Sequence, residues 1–263
     1  VISYQFFDLH EVRARGPREV DSMAQRIFAV WRPLFSHLDG LDFTFHRKKH
    51  LEDDLAVRLR AMFLVDRRSG RDLGLMIARI YEHTIRGETV ARFTINAGFD
   101  PALVGRSRGQ MFLAYELWRY RLLHPARPFY IVDICNAAAS YCAFRKTWPE
   151  LAPSQKFSTP NERWPLIEEC ASLWGAHPVA GLRREARTTG VVVRDPGVHE
   201  RVTRDTDDAA AFYERATGGD SSVGLLVSAH LGFREMATSM VEVVTRPLRP
   251  RRRSSRSPSG RES

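Results

Sequence analysis

Val104-Gly105-Arg106-Ser107-Arg108-Gly109-Gln110 stands immediately before the strongly helical run QMFLAYELWRYRLL, and its residue types can do chemistry. Free amides at a helix start, guanidinium groups beside them and glycines that let a phosphate approach the backbone make an anion site. An ordinary exposed turn is the competing reading. The stretch has no lysine followed by Ser or Thr and no G-x-G-x-x-G, which argues against a P-loop and a dinucleotide fingerprint. Cys135, Cys142, His124 and Asp133 lie near one another in sequence, but a cysteine nucleophile needs a histidine in hydrogen-bond reach and an activated thiol. Cysteines beside apolar runs read better as small buried side chains. With three cysteines at no metal-ligand spacing and no HExxH among the nine histidines, no metal is expected.

The elements that must position these residues follow from periodicity. VISYQFFDLHEV reads as a first strand and GPREVDSMAQRIFAVWRPLF as a helix with Val20, Met23, Ile27, Val30 and Trp31 on its buried stripe. Runs centred on 57–65, 73–84 and 89–97, separated by RRSGRD and RGE, predict an antiparallel meander. In the first of these, Val57, Leu59, Ala61 and Phe63 are expected to pack, with Arg58, Arg60 and Met62 on a less buried face. The helix after the glycine-arginine turn is expected to bury Met111, Leu113, Ala114, Leu117, Trp118 and Leu122. PFYIVDIC is the next strand and NAAASYCAFRKTW the next helix. Farther on, NERWPLIEECASLWG reads as a helix, GVVVRD as a short strand, TDDAAAFYERATGG as a helix capped by Thr206, and SSVGLLVSAH as a strand to about Ser228.

This order of elements resembles the GCN5-related N-acetyltransferase (GNAT) superfamily, whose members hold the pyrophosphate of acyl-coenzyme A on an R/Q-x-x-G-x-G/A turn. Arg106-Ser107-Arg108-Gly109-Gln110 supplies the R-x-x-G part, with Met111 where Gly or Ala is typical. The resemblance implies an α/β fold with a mixed central sheet flanked by helices and a C-terminal extension. It also implies an acyl-CoA or acyl-carrier-protein thioester as donor, with Phe99 or Ala102 against the acyl-pantetheine arm. Asn136 would contact the pantetheine and Tyr141 would protonate the departing thiolate, Ser140 being a weaker alternative donor. The Asn136 to Tyr141 interval is shorter than the family's, and no Gly-Phe follows Tyr141. Expanded members, including N-acyl amino acid synthases, resemble the same fold.

Acyl transfer from a thioester needs a neutral amine, a polarised carbonyl and assistance to the leaving thiolate. Asp133, inside an apolar strand, and Glu82, in RIYEHTIRG, are the candidate bases, with a structural bond to arginine as the alternative for Asp133 and simple solvent exposure as the alternative for Glu82. His83 should point to the opposite face from Glu82.

The net charge of +9 adds little to this, because the seven arginines from Arg246 onward against the single acid Glu262 carry +6 of it. Residues 1–160 are expected to form the GNAT-like core, 161–245 to complete or flank the same sheet, and 246–263 to be a disordered basic tail. The tail can attract nucleic acid or an acidic membrane without specificity, and no specific nucleic-acid motif is present. Arg47, Lys48, Lys49 and His50 form a smaller basic patch suited to an acidic carrier protein or a coenzyme phosphate. No apolar run is long enough to span a membrane, and cytoplasm is the expected compartment. The sequence therefore points to an acyltransferase acting on a small-molecule amine, with an acyl carrier protein as a candidate partner. A catalytically silent thioester or small-ligand sensor and a nucleic-acid-associated protein are the alternatives.

Overall fold

Asp8 decides where the first strand stops. Its Oδ1 accepts the N–H groups of His10 (3.0 Å) and Glu11 (3.4 Å), the geometry of a helix cap. The run expected as one strand therefore divides into β1 (Ile2–Asp8) and the short helix α1 (Leu9–Ala14). α2 (Pro17–Trp31) follows with proline in its first turn, and its expected stripe is buried together with Ala24. A single turn, α3 (Thr44–His46), then continues into a π-helical turn over Arg47–Leu51. These features come from a computed structural model that describes residues 1–100, 103, 109–192 and 207–238.

β2 (Ala56–Asp66), β3 (Asp72–Ile85) and β4 (Glu88–Phe99) form the antiparallel meander. Arg86 and Gly87, both at positive φ (53° and 82°), close the β3–β4 hairpin in two residues, which matches the right-handed twist of the strands. Two expectations for β2 fail. A register shift between Ala56 and Arg58 turns Val57 outward to 52% exposure, and Met62 is buried because helices cover that face of the sheet too.

β5 (Phe129–Cys135) runs parallel to β4, and β8 (Val223–His230) pairs antiparallel with the other side of β5. With β6 (His177–Pro178) and β7 (Ala186–Thr188), the eight strands take the order β1-β2-β3-β4-β5-β8-β7-β6. This is the α/β fold with a mixed central sheet flanked by helices that the resemblance implied. β8 extends two residues past Ser228. The strand expected over GVVVRD is not found. Gly190–Val192 are irregular because Ser36 takes the Val192 carbonyl (3.0 Å), and the remainder lies outside the described residues, as does the Thr206 cap.

One face of the sheet is covered by α4 (Gly109–Leu123), α5 (Ala138–Thr147) and α7 (Asp207–Thr217). On the other face, α1 and α2 lie over β2 and β3, and α6 (Trp164–Leu173) lies over β5 and β8. α4 is rotated from its expected orientation. Gly109, Phe112, Glu116, Leu117 and Tyr120 face inward, while Met111 (56%) and Leu122 (64%) are exposed. Glu116 causes the rotation, since Arg58 and Arg60 of β2 draw its carboxylate under the helix.

Trp31 packs so close to β4 that a Cβ on Gly98 would lie 2.8 Å from its indole ring and 2.9 Å from Leu34. Gly98→Ala is therefore expected to destabilise the protein by ~1–3 kcal/mol in urea titrations, because the rigid ring and the strand must separate.

Candidate functional site

β4 and β5 share a ladder for three residue pairs only, Ala91–Phe93 against Phe129–Ile131, although β4 continues to Phe99 and β5 to Cys135. Beyond that point the backbone groups between them need other partners. Asp133 provides one. Its Oδ2 accepts the Ile95 N–H across the gap at 2.8 Å, and its Oδ1 accepts the N–H of its neighbour Ile134 at 2.8 Å.

The carboxylate is 4% exposed, and burial pushes its pKa up to about 6. The N–H groups of Ile95 and Ile134, the Thr94 hydroxyl and the Arg92 charge hold it from rising further. A carboxylate titrating near neutral pH at a break in a parallel ladder can accept a proton there. The nearby thiols do not compete for that role. Burial raises Cys135 well above the usual thiol range and Cys170 to about 12, so neither is a thiolate at neutral pH.

The other expected site residues separate. Gly109 is the buried first residue of α4 and Gln110 is half-buried behind it, whereas Arg106, Ser107, Arg108 and Ala102 lie outside the described residues. Asn136 does not begin the next helix, which starts at Ala138. Its Oδ1 is buried without a hydrogen-bond partner, packed where a Cβ on Gly224 of β8 would stand 2.8 Å away. Tyr141 is 1% exposed, donates its proton to the Pro153 carbonyl at 3.0 Å, and stacks with Phe212 of α7. Burial raises its pKa, and its hydroxyl is committed inside the α5–α7 interface.

Glu82 pairs with Ala91 in the sheet, at the closed end of the β4–β5 ladder. It accepts from Tyr120 of α4 at 2.7 Å and from Arg127, which makes it the acid of a structural network. His83 points to the opposite face as expected and pairs with Glu169 of α6 at 2.8 Å. The basic patch at 47–50 is also broken up. Arg47 pairs with Asp21 and Glu52, Lys49 lies over Trp174, and His50 is buried.

A polar strip that the sequence reading missed lies on the face carrying α2 and α6, between their two apolar clusters. Arg79, 2% exposed, donates to Asn96 Oδ1 and His50 Nδ1 and stands 3.6 Å from Asp53. Tyr81 donates to the same Asp53 at 2.6 Å. Arg92 donates from Nε to His83 Nε2 at 3.4 Å, with its guanidinium 4.2 Å from the Tyr81 ring centre. The signal for this strip was an arginine in the middle of an apolar strand, the same kind of signal that singled out Asp133. Among the described residues no cluster is suited to a metal ion, and no helix is long and apolar enough to cross a membrane.

No protein-family model matches the chain, and no curated protein matches it. Among solved structures it is similar to a bacterial toxin, 15% identical over 68% of this chain and 98% of that one, with a TM-score of 0.35. A second is an aminoglycoside acetyltransferase from an uncultured soil metagenomic sample, 13% identical over 70% and 97%, with a TM-score of 0.30. A third is a tyrosine-to-phenylalanine mutant of the AtaT toxin, bound to the C-terminus of the antitoxin AtaR and acetyl-CoA. It is 13% identical over 77% and 96%, with a TM-score of 0.28.

Asp133 sets a pH dependence whose sign follows from its environment. Its folded value lies above the 3.8 of an ordinary Asp, so between about pH 4 and pH 6 the folded chain keeps a proton that the unfolded chain has lost. Stability falls as pH rises through that window and levels off above it. Asp133→Asn does not titrate. Its unfolding free energy relative to wild type is expected to rise by up to ~3 kcal/mol from pH 4 to pH 7 in parallel denaturant series.

Proposed function

We propose that this protein is an acyltransferase that moves an acyl group from an acyl-CoA or acyl-carrier-protein thioester to an amine by direct transfer. The observation that carries this reading is the stopped β4–β5 ladder with Asp133 holding the Ile95 N–H across it. A thioester carbonyl placed in the gap would take that N–H as its polarising donor, and Asp133 would give it up. Released from one of the bonds that hold its pKa down, the carboxylate becomes a stronger base at the moment the acceptor arrives.

The chemistry then balances in one displacement. The neutral amine nitrogen attacks the carbonyl carbon, a C–N bond forms, the C–S bond breaks, and the amine proton passes to Asp133 directly or through one water. The thiolate leaves and takes its proton from water, since Tyr141 is committed to Pro153. Donor phosphates fit the start of α4, where Gly109 opens the helix and Arg106, Ser107, Arg108 and Gln110 stand in the sequence around it. Asn136, at the open end of β5, is the pantetheine-contacting candidate, because its buried Oδ1 still lacks a donor.

The test is turnover of an acyl-CoA and acyl-carrier panel against mixed amines, read by thiol release and product mass. Asp133→Asn is expected to lower kcat/KM by at least ~10²-fold, and wild-type kcat/KM should rise with pH through an apparent pKa near 6. Arg106→Ala with Arg108→Ala should weaken donor binding by ~10-fold or more. Tight donor binding with no thiol release across the panel would replace the acyltransferase by a thioester sensor. Salt-dependent nucleic-acid binding lost on removing 246–263 would favour the third reading.

A further inference from the structure

Arg92 is completely buried, and both Nη atoms of its guanidinium lack a hydrogen-bond acceptor. Among the described residues no carboxylate forms an ion pair with it. Its neighbours are a histidine nitrogen, the face of a tyrosine ring and the Cys170 thiol, which itself donates toward Val132 O. An unpaired buried guanidinium is costly, and a planar fork of free N–H groups matches a carboxylate in both charge and shape.

The rest of the strip offers no internal anion to fill that role. Asp53 is engaged by Arg79 and Tyr81, and Glu169 by His83. Lys49 adds a further positive group, with its Nζ 3.7 Å from the Trp174 ring centre. Burial and the Arg79 charge hold its pKa at about 7. Arg92 also reaches the proposed centre electrostatically, because its charge acts on Asp133. Three residues of strand, at about 3.3 Å each, separate Arg92 from Ile95. The covers on either side of the strip meet through side chains, Lys49 on Trp174 and His83 on Glu169, and Glu169 is 40% exposed.

We infer that Arg92 selects the acceptor, and that the acceptor is an amine also bearing a carboxylate, of the α-amino-acid class, seated with its carboxylate on the Arg92 fork and its amine toward Asp133. This rests on the acyl-transfer reading and names the substrate class of the same site. The strip's excess of cations disfavours polyamines, which would bring positive charge to a buried arginine.

The experiment compares amino acids with their C-terminal amides, which keep the amine and side chain and lose the negative charge. Binding to the protein alone is read by tryptophan fluorescence and calorimetry, and acylation by kcat/KM. Wild type should prefer the acid over the amide by at least ~10-fold in both readouts. Arg92→Met should bring that ratio close to one, and Arg92→Lys, which keeps the charge without the fork, should lower it by at least about threefold. Equal binding of acid and amide by wild type, or an undiminished preference in Arg92→Met, would overturn the assignment. If circular dichroism shows Arg92→Met unfolded, the Arg92→Lys ratio decides, and an unchanged ratio rejects it. Acid-selective binding without transfer from any donor sinks the acyltransferase and leaves the Arg92 site standing. Transfer without acid selectivity does the reverse.

Discussion

Beyond Phe93 and Ile131 the β4–β5 ladder stops, and each further residue of either strand brings backbone groups that still need partners inside the protein. The sheet meets this constraint with a side chain. Asp133 reaches from β5 to the Ile95 amide, and its burial there raises its pKa to about 6 although the amide bond itself pulls the other way. A loop carrying an aspartate would not achieve this, since solvent would return its pKa to the ordinary range. The break in pairing and the perturbed acid are one feature seen from the backbone and from the side chain.

The layers around that break divide the work by face. α4 brings Gly109 to one side, with Phe112 packed into the same cluster as Phe93 and Ile131. The other side carries the polar strip of Arg79, Arg92, Asn96 and His50, walled by the clusters under α2 and α6. A reaction that joins two different molecules at one point benefits from such a division, because each can be held by its own surface and meet the other only at the gap. Burying so many cations under a sheet is expensive, and for Arg79 the expense is offset by Asp53, Asn96 and His50.

Much of the fold was legible because hydrophobic period is local. The meander, α2 and its stripe, α4 and β5 all lie where their apolar spacing put them. What escaped depended on partners distant in sequence. Glu116 rotates α4 because Arg58 and Arg60 stand under it, and Asp8 divides the first strand by capping a helix. In the site, Asp133 was legible as a charge in an apolar strand. Arg79 and Arg92 carried the same mark but were read past, since arginines beside turns and alternating runs usually face water. Tyr141 and Asn136 were assigned by resemblance, and the structure puts one in the core and the other against Gly224, because α5 packs on α7 and begins two residues later than expected.

β5 keeps six paired residues with β8 against three with β4, so the strand bearing Asp133 is fastened mainly to a segment far along the chain. During synthesis β5 leaves the ribosome long before residues 223–230 exist, and until they arrive it has only its short grip on β4. The centre of the molecule is therefore among the last parts to become rigid, and its assembly is a long-range, slow event in folding. A chain interrupted before β8 would carry nearly every residue of the candidate site and still lack the edge that holds them in register.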